Sequence, residues 1–147
     1  MPQAGSAARL YTPDLLALAI ELADYPILPT LPRFGDARSR SCGSRVRLAC
    51  SLRSDDTIER LGLEVTACAV GQAAAAIFAA EAADKSLTDM QRALVELELW
   101  LEGSALAPSW PQIDRLSPAR AFPGRHGAIL LPWKAAVEAL SNPPAPR

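Results

Sequence analysis

Apolar and polar positions change period along this chain, and the changes mark its elements. From Pro13 the stretch "DLLALAIELADY" carries an apolar face at helical spacing, with Thr12 as an N-cap and Pro13 at the first helical position. Pro26, Pro29 and Pro32 end that helix and lead into "RFGDARSRSCGSR", which reads as an extended, arginine-rich loop. Strict alternation follows. Val46, Leu48, Cys50 and Leu52 alternate with Arg45, Arg47, Ala49, Ser51 and Arg53; after the turn "SDDT", Leu61, Leu63 and Val65 alternate with Gly62, Glu64 and Thr66. This predicts an antiparallel hairpin, with Ile58 out of phase and therefore at a bulge or before a later strand start.

Past Thr66 the period lengthens again. "ACAVGQAAAAIFAAEA" is dominated by alanine, the best helix former, and predicts a helix over 69–83 with Cys68 at its N-terminus. Ser86 with Asp89 three residues on forms a capping box, and Leu87, Met90, Leu94, Leu97 and Leu101 give the next helix its core face until Gly103 ends it. "SALAPSWPQIDRLSPARAFPGRHG" holds four prolines and reads as mostly loop. A last helix is expected from Gly127 or Ala128 to about Leu140, with Pro132 tolerable in its first turn or as a kink. The fold class is α+β: a small antiparallel sheet of about three strands, the hairpin within it, and helices packed on one face. Residues 1–147 form one domain, with 1–9 and 141–147 expected as disordered tails.

Composition narrows the function. Half of the residues are hydrophobic but only 5% are aromatic, so the core should be thin in large side chains and rich in close helix contacts. A net charge of −1 gives no support to nucleic-acid binding. The longest apolar run, 73–80, is far shorter than a membrane span. "MPQAGSAARL" lacks a secretory apolar region, and three cysteines without such a signal point to reduced thiols in the cytoplasm.

Three positions carry candidate chemistry. In "SCGSR", Gly43 allows a sharp turn that exposes Cys42. Cys68 sits where the unpaired N–H groups and dipole of a helix N-terminus favour a thiolate. His126, the one histidine, lies in "PGRHGAILLPW" at the start of the last helix. If the hairpin brings the loop at 42 beside the strand end at 67, two thiols meet at one end of the sheet. Two thiolates with an imidazole suit zinc or iron, one ligand short of a closed tetrahedral site. Cys50 falls on the inward strand phase and reads as core. Asp36 is a further conceivable ligand, Arg45 or Arg125 could stabilise the Cys68 thiolate, and the five arginines from Arg33 to Arg47 form a solvated face or a docking surface for an acidic partner. A Cys68–His126 hydrolase or transferase lacks an acidic partner for the histidine and an oxyanion-type loop.

"SCGSRVRL", "ACAVGQAAAAIFAAEAADKSLTDM" and "FPGRHGAILLPWKAAVEAL", over roughly 41–140, resemble the NifU N-terminal-like, or IscU/SufU-type, iron–sulfur cluster assembly scaffolds. That pattern has a Cys-Gly-Asp loop before a strand, a second cysteine opening a small-residue helix, and a third beginning the last helix. The resemblance matches Cys42 and Cys68 to the first two cysteines, puts Ser44 where the aspartate stands, and puts Ala128 where the third cysteine stands, by counting back from Leu131-Pro132-Trp133. It implies a non-enzymatic scaffold or carrier that holds a 2Fe–2S cluster, iron, zinc or persulfide sulfur on Cys42 and Cys68, with His126 as a candidate third ligand. Gly43, Ser44, Arg45, Arg125 and Ala128 would neighbour the site. The implied partners are a cysteine desulfurase and apo acceptor proteins, with coordination completed across a homodimer, by a small thiol or by the desulfurase. The rival expectation is a degenerate member that keeps the fold and acts as an interaction module.

Overall fold

The computed structural model describes residues 12–144. Helix α1 (Pro13–Ile20) begins as the sequence requires: the Thr12 hydroxyl accepts a hydrogen bond from the Leu15 N–H at 3.2 Å, and Pro13 occupies the first turn. Leu15 and Leu18 anchor it in the core. Its continuation, Glu21–Asp24, tightens into a 3₁₀ turn.

The sheet has three antiparallel strands in the order β1 (Arg33–Arg38), β2 (Arg45–Leu52) and β3 (Ile58–Thr66). The hairpin β2–β3 is as expected, and its irregularity falls at Ser51/Leu52, where Leu52 pairs with a fully buried Ile58. Strand β1 corrects the loop expected at 33–38. It pairs with β2 from Arg33↔Cys50 to Arg38↔Arg45. Its inward positions are Gly35 and Ala37, which carry no apolar alternation strong enough to read as a strand. Smallness is imposed from above: a Cβ on Gly35 would overlap the Ala135 carbonyl oxygen and lie 2.8 Å from the Ala139 nitrogen.

The outer face of the sheet is not wholly solvated either. Ala49 is buried although it shares the phase of the arginines. Its register partner Gly62 abuts the Pro26–Ile27 backbone, where an added Cβ would come within 2.6 Å of the Ile27 Cα, so this connection covers that level of the outer face. The Leu63 N–H donates to the Tyr25 carbonyl at 2.8 Å, fastening the same segment along β3.

Helix α2 (Ala69–Glu81) runs through the centre, with Val70 and residues 73–79 all buried. It contacts α1, β3 and the last helix, which explains why alanine fills nearly every side of it. Helix α3 (Leu87–Leu101) carries the capping box: the Asp89 N–H donates to the Ser86 hydroxyl at 3.2 Å and the Ser86 N–H to the Asp89 carboxylate at 2.9 Å. The stretch read as loop holds a 3₁₀ helix, Ile113–Ala121, with Ile113, Leu116 and Ala119 buried.

Helix α4 (Pro123–Ser141) starts some four residues before the expected position, with Pro123 in its first turn and Pro132 deep inside. Pro132 supplies no N–H to the Ala128 carbonyl, and the buried packing around both residues holds the helix through that gap. The end of α4 is also more ordered than a free tail. Ser141 is helical, and the Asn142 carbonyl accepts from Arg33 Nη1 at 2.6 Å. The expected tail at 1–9 and residues 145–147 lie outside the described residues. Helices α2 and α4 pack on the face that presents Val46, Leu48 and Cys50.

Large side chains such as Leu15, Leu18, Ile77, Met90 and Leu97 fill the core alongside the alanines, and three aromatic rings cluster within it. Phe78 stacks on Trp110 at 5.6 Å, and Trp133 meets both edge-on at 5.4 Å. Trp110 also donates its indole N–H to the Ile77 carbonyl at 3.1 Å, tying the proline-rich stretch to α2. Among the described residues no helix is long and apolar enough to cross a membrane.

Candidate functional site

The connection between β1 and β2 is a tight loop whose closure fixes Cys42. The Ser39 N–H donates to the Ser44 carbonyl at 2.9 Å, and the Gly43 N–H donates to the Ser39 carbonyl at 3.1 Å. Gly43 has φ +73°, a left-handed conformation suited to glycine, and it leaves Cys42 exposed at the tip. The Cys42 sulfur lies 3.0 Å from the Ser44 hydroxyl, which is itself on a buried residue. Hydrogen bonding from Ser39, then Ser44, holds the Cys42 thiol below the ordinary cysteine range against the opposing effect of partial burial, and Arg125 adds a smaller attraction.

Cys68 reaches the same place from the other side. Strand β3 ends at Thr66, and Cys68 is the extended N-cap of α2, with its carbonyl accepting the first helical bond from the Gln72 N–H at 2.9 Å. The Gln72 side chain donates back to the Ala67 carbonyl at 2.9 Å and steadies the junction. The Cys68 side chain makes no capping hydrogen bond and is half-buried. Cys42, Gly43, Ser44, Thr66, Ala67, Cys68 and Arg125 together line one pocket of about 280 Å³.

The remaining candidates are placed elsewhere. The His126 Nε2 sits 3.0 Å from the Arg120 carbonyl, and the ring does not line the pocket. Ala128 is buried, with its methyl against Gly71 in the first turn of α2, where an added Cβ would lie 3.3 Å away. Arg45 Nε donates to the Asp36 carboxylate at 3.0 Å, and the pair sits across β1 and β2. This pairing keeps Asp36 below the usual carboxylate range, and Arg45 is not among the residues lining the pocket. Cys50 is fully buried, and burial pushes its thiol up to about 11. Among the described residues no three His, Cys, Asp or Glu side chains converge as a metal-binding group. The chain therefore offers two thiols, half of a tetrahedral set.

Sequence reasoning named Cys42, Cys68 and Arg125 but missed Ser39. Its signal was faint: one serine among several, whose spacing to Cys42 matters only once the loop closes. Gly127 packs against it, since a Cβ there would lie 2.6 Å from the Ser39 hydroxyl.

No protein-family model matches the chain, and no curated protein matches it. Solved structures do. The chain superposes with TM-score 0.82 on the N-terminal part of a nitrogen-fixing NifU-like protein from Brucella abortus, at 22% identity, covering 92% of this chain and 95% of that one. It superposes with TM-score 0.79 on a protein from Fervidobacterium islandicum assigned as an iron–sulfur cluster assembly scaffold for the SUF system, at 20% identity, covering 90% and 97%. A hypothetical protein of known structure follows with TM-score 0.65 at 18% identity, covering 87% and 97%. The expected α+β class, a three-stranded antiparallel sheet with packed helices, is thus present: this chain has the fold of the NifU-like N-terminal domain and the SufU-type scaffold.

Proposed function

We propose that the chain is a divergent NifU/IscU/SufU-type protein that acts in iron–sulfur assembly as a scaffold-like sulfur or metal carrier, not as an enzyme. One observation carries this reading: the thiols of Cys42 and Cys68, far apart in sequence, line a single pocket beside Arg125. An exposed thiol whose thiolate is favoured can take the terminal sulfur of a donor persulfide, the donor departing as its own thiolate. A cysteine desulfurase fits that role, and an apo iron–sulfur protein fits that of acceptor.

Iron, zinc or a 2Fe–2S cluster would be cargo on this site. Cys42 and Cys68 supply two thiolates; the other donors come from a second copy, a small thiol or the partner, because Ala128 offers a methyl group and Ser44 a hydroxyl. His126 joins the set only by leaving the Arg120 carbonyl.

Anaerobic reconstitution with iron and sulfide, followed by metal and sulfide analysis, tests the cluster version. Stoichiometric uptake that disappears in both Cys42→Ser and Cys68→Ser supports it. Absence of metal in all three proteins, together with absence of persulfide after incubation with a cysteine desulfurase and cysteine, overturns the carrier reading as well. Ala128 and Ser44 favour a second reading, in which the fold serves as an interaction module. In that case both serine variants keep full partner binding and cellular function.

A further inference from the structure

Two thiols with no third beside them define a different chemistry from three. Cys42 is exposed at a loop tip, whereas Cys68 is half-buried within the same pocket, so a bulky sulfur donor meets Cys42 first. The hairpin brings the two to the same end of the sheet. The last β2–β3 pair is Arg45↔Thr66, so Cys42 lies three residues before the start of β2 and Cys68 two residues after the end of β3, at the same end of the hairpin. Both residues line one pocket, and a disulfide needs Cα atoms about 4.4–6.8 Å apart, so the exposed loop has only to carry Cys42 across that pocket. Cys68 is available for it, because its side chain holds no cap bond. Among the described residues, the one other thiol, Cys50, is buried in the sheet and does not line this pocket.

We infer that Cys42 and Cys68 form a sulfide-releasing pair: Cys42 accepts a sulfane sulfur, and Cys68 resolves the persulfide to an internal disulfide. The inference rests on the reading of Cys42 as a sulfur acceptor. In the step, the Cys68 thiolate, having lost its proton to solvent, attacks the Cys42 Sγ of the persulfide. A bond forms between the two cysteine sulfurs, the bond to the outer sulfur breaks, and hydrosulfide leaves with the electron pair. The outer sulfur is reduced to sulfide, and the two cysteines are oxidised to the disulfide. Arg125, on the pocket wall, favours an anion leaving there. A dithiol reductant then restores both thiols. The pair thereby converts carried sulfane sulfur into sulfide without a third cysteine.

The test uses the full chain, loaded with inorganic polysulfide under argon and freed of excess reagent. Trypsin places the three cysteines on separate peptides, 41–45, 48–53 and 61–85, so each can be followed by mass spectrometry. In the wild type, persulfide on 41–45 should decay as free sulfide and a cross-link between 41–45 and 61–85 appear together, in stoichiometric amounts. Cys68→Ser should retain the sulfur on 41–45 and release no sulfide. Persulfide that stays on Cys42 in the wild type overturns the release step and leaves the carrier reading standing. Sulfur that moves to 61–85 without a cross-link shows attack on the outer sulfur and likewise overturns it. Failure of any protein to take up sulfur overturns both.

Discussion

Gly35→Ala should destabilise this protein more than any other single added methyl group on its β1 strand, because of where α4 lies. An alanine Cβ at position 35 would overlap the Ala135 carbonyl oxygen and sit 2.8 Å from the Ala139 nitrogen and 2.9 Å from the Ala135 carbonyl carbon. Ordinary Cβ contacts begin near 3.4 Å, and all three obstacles are backbone atoms that no rotamer can withdraw. Strand and helix must part along the seam that also buries Val46, Leu48 and Ala136. Overpacking costs roughly 1–3 kcal/mol, and a backbone obstacle belongs at the upper end, about 3 kcal/mol. For a chain of this size that corresponds to a fall in Tm of roughly 6–12 °C. Gly124→Ala, in the first turn of α4 with nothing within 4 Å and no left-handed backbone, is the control. It should be neutral or stabilise by about 0.4–1 kcal/mol. Urea denaturation of the three proteins, with midpoints compared at equal slope, measures both. A Gly35→Ala protein within 0.5 kcal/mol of wild type (a difference of about twofold in the folding constant) would refute the close approach of α4 to β1.

The thiols give two further outcomes in metal-free protein. Alkylation of Cys42 should persist to lower pH than for a free cysteine, because its pKa is depressed; Ser39→Ala, which removes the largest cause, should move the profile upward. Cys50 should resist alkylation at neutral pH until the protein unfolds, since its pKa is raised to about 11 and its side chain is buried; prompt labelling of the native protein would contradict that burial. Loss of the α3 capping box in Ser86→Ala should cost about 1 kcal/mol, read as a lower urea midpoint with an unchanged slope.

Local chemistry announced much of this architecture. Thr12 before Pro13 and Ser86 before Asp89 satisfy orphan N–H groups by their own side chains, so these starts need no tertiary partner and were legible in the sequence. The β2–β3 hairpin was legible because one face is buried and alternation is its direct consequence. Strand β1 was not, since its inward residues are chosen small by a helix about a hundred residues later in the chain. The same holds for α4: Pro132 looks like a boundary by local rules, yet tertiary packing carries the helix through it. Trp110 looked like part of a proline-rich loop, and its role emerges only with Phe78 and Trp133 beside it.

The site divides along the same line. By itself the sequence determined that Cys42 stands on a glycine turn and that Cys68 opens an alanine-rich helix. Both follow from residue type and short-range spacing. Only the tertiary structure decided that the two thiols share a pocket with Arg125, that Arg45 is spent on Asp36, and that the His126 ring turns to the Arg120 carbonyl. Those are outcomes of strand register, turn geometry and helix docking, and a side chain's direction is fixed by the partner that meets it rather than by its place in the chain.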